Sequence, residues 1–107
     1  MYRVKIPMIR SSGVFIPPAH YDDVGTYCHF EWDTKGRATH VLVLDDDLED
    51  GCEIESQPDA RIAAAFAIQN CSARLEAAFR AAKDEDSRYL DGRLLVRLKH
   101  LDPTQVV

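Results

Sequence analysis

A chain of 107 residues with 46% apolar and 29% charged content is sized for one globular domain with a single core. Its formal charge of −5 argues against a duplex-binding surface, and no window approaches the ~18 apolar residues of a membrane span. Three cysteines at 28, 52 and 71, with no CxxC spacing, make a poor disulfide framework and fit reduced thiols.

The opening MYRVKIPMIRSSG has no apolar stretch of the kind a secretory signal carries, so a cytoplasmic location is expected. Arginine outnumbers lysine and alanine is frequent, which points to a bacterial source. Residues 2–9 alternate, with Tyr2, Val4, Ile6 and Met8 on one side, and predict a half-buried strand that Pro7 confines to an edge or ends early. Ser11-Ser12-Gly13 reads as a turn. VFIPPAH, broken by two prolines, reads as a covering segment, and Asp22-Asp23-Val24-Gly25 as a further turn.

Residues 26–32 and 38–44 are two strand-like runs joined by DTKGR, where Gly36 can take a positive φ. This is the strongest hairpin signal in the chain. A tight closure around Lys35-Gly36 pairs Glu31 with His40 and His29 with Leu42; a four-residue loop pairs His29 with His40. Either register puts His29, Glu31 and His40 on one sheet face and Cys28, Phe30, Trp32, Val41 and Val43 on the other. Two histidines and a carboxylate on one face are a candidate metal set, set against the plain alternative of a polar solvent face. Leu42 and Leu44 share that side, so a partner or the covering segment is expected there.

The second strand runs into DDDLEDG, five acids within six residues. An EF-hand would need glycine at its sixth position and glutamate at its twelfth, where Asp50 and Ser56 stand. Phosphoaspartate chemistry needs a parallel scaffold that the remaining residues do not supply. A looser hard-cation site is conceivable. The preferred reading is a solvated exit loop, with Leu48 and Cys52 or Ile54 tucked under it, because eight acids and no base lie between 45 and 59.

Ser56 as cap, Pro58 in the first turn and Asp59 at the positive dipole end predict a helix from about 58 to Lys83. Such a helix would be about 39 Å long. Ala64, Ala67, Ile68, Cys71, Leu75, Ala78, Phe79 and Ala82 form its core stripe, with Cys71 as a small core residue. Ile62 and Phe66 fall nearly opposite, beside Ala73 and Ala77. Three readings compete for that rear face: VFIPP folds over it, a break near Asn70 rotates the first turns, or it binds a second copy or a protein partner. Residues 60–80, with their RLEAAFR run, resemble a helix in short bacterial domains that set strands before it; the resemblance carries no residue role or activity.

DEDSRYLDG is a loop. RLLVRLKHL is a last strand with Leu94, Val96 and Leu98 on one face, and Pro103 ends order. Arg3, Lys5, Arg93, Arg97 and Lys99 would form one basic surface if the first and last strands were neighbours. The expected fold class is α+β: a mostly antiparallel sheet of about four strands against one long helix. No catalytic triad, P-loop or GxGxxG pattern occurs, and no cofactor is implied. The expected role is a non-enzymatic interaction module acting as a homodimer, with the metal reading second.

Overall fold

Alternation every second residue makes the hairpin, and its turn fixes the register. In the computed structural model, which describes residues 8–18 and 25–101, β2 (Tyr27–Thr34) and β3 (Arg37–Leu44) pair antiparallel. Glu31 faces His40 and His29 faces Leu42, the register of the tight turn. Lys35 and Gly36 both take positive φ, 54° and 76°, as a two-residue hairpin turn matched to strand twist requires.

β1 (Met8–Phe15) adds antiparallel to β2. Ser11-Ser12-Gly13, expected as a turn, lies inside this strand instead. The register shifts there as a bulge, and Gly13 absorbs it at φ 110°. The strand expected over 2–9 reaches the described residues only at Met8 and Ile9. Of the turn expected at 22–25, only Gly25 is described, and His20 and Pro103 also lie outside the described residues.

The acidic exit is not a loop but a two-turn helix, α1 (Asp45–Gly51). Asp45, Asp46 and Asp47 fill its first turn, where the helix dipole is positive, so the charge run is itself the start signal. Leu48 is fully buried beneath it, as expected, and Cys52 and Ile54 pack partly against the core.

The long helix is two: α2 (Ala60–Asn70) and α3 (Ser72–Asp84). Asp59, not Ser56, caps α2, its side chain accepting from Arg61 N at 2.8 Å. Cys71, at φ −137° and ψ 21°, ends one helix and starts the next. Asn70-Cys71-Ser72 is a run of weak helix formers, and the Asn70 amide donates to the Phe66 carbonyl at 3.2 Å. The core stripe survives the break. Ala64, Ala67, Leu75, Ala78, Phe79 and Ala82 are buried, and Ile68 and Cys71 pack against them. Phe79 meets Phe30 and Trp32 at centroid distances of 5.8 and 5.6 Å.

After a loop, β4 (Leu94–Val96) returns parallel to β3, and α4 (Leu98–Leu101) follows. The last strand is therefore cut short: Leu98 lies in α4 rather than on a strand face. The sheet order is β1-β2-β3-β4, so the first and last strands are opposite edges. That separation removes the joint basic surface. Arg3 and Lys5 lie outside the described residues, Arg93 is bound to Asp91, and Lys99 to Glu85 at 2.7 Å. The class is α+β, mostly antiparallel, with a parallel β3–β4 pair closed by the helices. Among the described residues no helix is long and apolar enough to cross a membrane.

The sheet face away from the helices is half covered. Tyr89, on the loop before β4, closes a second small core with Tyr27 and Leu42. Its ring stands edge-on to Phe15 and Tyr27 at 5.5 and 5.7 Å, and the Arg93 guanidinium lies 4.3 Å from the Phe15 ring centre. The patch at Leu42 and Leu44, where a partner or the covering segment is expected, is thus partly filled by the chain itself, through Tyr89 and through Phe15 of that segment.

Candidate functional site

Three places carry chemistry. The hairpin face comes first, because the sequence singled it out. His29 Nε2 and His40 Nδ1 are 3.0 Å apart, on the same face as Glu31, but the two rings bind each other. Glu31 turns to Arg10 at 3.3 Å. Burial pushes the His29 imidazole below its ordinary value, with Arg93 and His40 adding to the shift. Among the described residues, no group of three or more His, Cys, Asp or Glu side chains is gathered as a metal ion would need.

The outer face of the helices comes second. Ile62 and Phe66 sit one turn apart on α2 and are 42% and 43% exposed. Ala73 and Ala77 are exposed on α3, away from its buried Leu75–Phe79 stripe. The break does not rotate Ile62 and Phe66 under cover. Nor does VFIPP seal them: Val14 joins the main core, while Phe15 packs on the opposite sheet face. The break does remove the continuous rear stripe that one straight helix would have presented.

The third place is the junction of α2 and α3, where the sequence offered a break near Asn70 as one reading but no thiol pair. Cys71 at the start of α3 meets Cys52 just past the end of α1, with sulfurs 2.7 Å apart. Both are half-buried, whereas Cys28 is fully buried and its thiol donates to the Ala60 carbonyl at 3.4 Å. The pair opens into a cavity of about 420 Å³ whose wall includes Gln69, Asn70, Ser72 and Arg74. Arg74 binds the Gly51 carbonyl, tying the first turn of α3 to the residue before Cys52. Glu53, next to Cys52, is a non-glycine residue held at φ 56°. Such a left-handed residue turns the chain sharply where the thiol is presented.

The electrostatics divide the two thiols. The close contact with the Cys52 sulfur lowers Cys71 to about 7, against an opposing desolvation, and Arg74 helps. The positive end of α3 works in the same direction. Cys52 is pushed up, chiefly by its contact with Cys71 and then by burial. Cys28 is raised to about 12 by burial first and by Asp45 and Glu49 after it. The directions set Cys71 below the usual thiol range and Cys52 and Cys28 above it.

The fold and this geometry define a small α+β chain carrying a close thiol pair at a helix junction. No family model, curated protein or solved structure matches it.

Proposed function

We propose that the protein is a non-enzymatic interaction module that pairs with a second copy through the outer face of α2. The observation that carries this reading is the exposure of Ile62 and Phe66 on adjacent turns. Ala73 and Ala77 on α3 are exposed small residues that admit a close approach. Sedimentation velocity across the micromolar range tests it. A concentration-dependent dimer that Phe66→Asp converts to monomer supports it; a strict monomer at every concentration overturns it.

A metal held by His29, Glu31 and His40 is the second reading, favoured by the 3.0 Å approach of the two imidazoles. The Arg10 pairing of Glu31 weighs against it. Metal analysis of protein purified without chelator decides it, since substoichiometric zinc, iron, manganese and nickel end it.

A further inference from the structure

We propose that Cys52 and Cys71 form a thiol–disulfide exchange site whose substrates are small-molecule disulfides, with Cys71 attacking and Cys52 resolving. Three features carry it. The sulfurs are already 2.7 Å apart, against about 2.05 Å in a disulfide, so closure asks little of the backbone. The pair fronts an open cavity that a small disulfide can enter to reach the two sulfurs. Arg74 holds the two segments together through the Gly51 carbonyl and places a cation beside the attacking sulfur.

The chemistry balances in two steps. The Cys71 thiolate attacks one sulfur of R–S–S–R, forming Cys71–S–S–R and releasing R–S⁻. The Cys52 thiol then attacks the Cys71 sulfur. The new Cys52–Cys71 bond forms, the second R–S⁻ leaves, and it takes up the Cys52 proton. The dithiol is oxidised by two electrons and the small disulfide is reduced to two thiols. Excess dithiothreitol runs the exchange backwards. Cys71 is suited to attack because its thiolate is populated near neutral pH, while Glu53, the one carboxylate acting on it, opposes this weakly. Cys52 is suited to resolve because its sulfur already lies beside the Cys71 sulfur it must attack, and its proton passes to the departing R–S⁻.

The test is mass spectrometry of the folded, reduced protein after incubation with glutathione disulfide. In the wild type we expect a peptide cross-link joining Cys52 to Cys71, with Cys28 unmodified. Cys52→Ser should stop at a glutathione mixed disulfide on Cys71. Cys71→Ser should react at least about tenfold more slowly at Cys52. Circular dichroism confirms that each variant is folded, and the wild-type result stands without them. Three outcomes overturn the proposal: a wild type whose Cys52 and Cys71 stay reduced, a wild type that accumulates the mixed disulfide, or a Cys71→Ser variant that reacts as fast as wild type. The readout is the mass of a single chain, so it is independent of whether the protein pairs.

Discussion

Gly51 at the end of α1 backs directly onto Leu101 in α4: a Cβ at position 51 would stand 2.5 Å from the Leu101 Cβ. Leu101 is buried and belongs to the main core, so neither side can give way by a side-chain rotation alone. Gly51→Ala should therefore destabilise the protein by about 1–3 kcal/mol through overpacking, even though alanine is the better helix former. Urea denaturation checks it. An unchanged or raised midpoint would mean that α4 is not packed there.

What the sequence disclosed and what it hid divide along physical lines. The hairpin was legible because a two-residue period and one glycine fix both its faces and its register. The buried stripe from Ala64 to Ala82 was legible because it survives a break of one residue. The break near Asn70 was one of three competing readings and not the expected course, since Asn70, Cys71 and Ser72 are tolerated within helices as well as between them. The acids at 45–50 were misread as a loop because a charge run suits solvent and a helix start equally. The thiol pair was invisible for a different reason. Its members are 19 residues apart, and only the turn after α1 and the break before α3 bring them together. The pointer available was a cysteine placed within that weak helical run, with a second just after Gly51.

The outer face of α2 and the inner face of α3 should respond oppositely to substitution. Phe66 is 43% exposed, so Phe66→Asp should leave stability within about 0.5 kcal/mol while changing association. Phe79 is fully buried between Phe30 and Trp32, so Phe79→Ala should cost about 3–5 kcal/mol. Thermal melts on the two variants separate an interface residue from a core residue. A large loss of stability in Phe66→Asp would assign that ring to the fold instead.

Acid should weaken the hairpin through His29. Its folded-state value lies below the ordinary 6.5, mainly from burial. As pH falls below 6.5 the unfolded chain takes up the proton first, so stability present above that pH is lost toward the depressed folded value. Double protonation also ends the His29–His40 hydrogen bond, which needs one neutral ring to accept. His29→Gln should flatten the stability profile below pH 6.5. An unaltered slope would show that the acid response comes from other groups.

The nucleophilicity of Cys71 should depend on its neighbour more than on its exposure. Iodoacetamide labelling of Cys71 should titrate with a midpoint of about 7. The leading cause is the contact with the Cys52 sulfur, so Cys52→Ala should move the midpoint up toward the usual thiol range. Arg74→Met should move it the same way by less, losing a cation that ranks after desolvation among the influences. If Cys52→Ala left the midpoint where it was, the two sulfurs would not be hydrogen-bonded in solution.

Oxidation of the pair should make the fold harder to unfold. The bond would close a segment of 19 residues, for which the loss of unfolded-chain entropy is about 3 kcal/mol. For a chain of this size that corresponds to a rise in Tm of about 10 °C or more. The gain should be largest against local opening at the α2–α3 junction, because α1, α2 and α3 would then share a covalent tie. Melts of the oxidised protein with and without dithiothreitol measure it, and Cys52→Ser, which cannot form the bond, should melt alike under both conditions. An oxidised wild type that melts no higher than the reduced form would mean that the bond distorts the junction by as much as it restrains the unfolded chain.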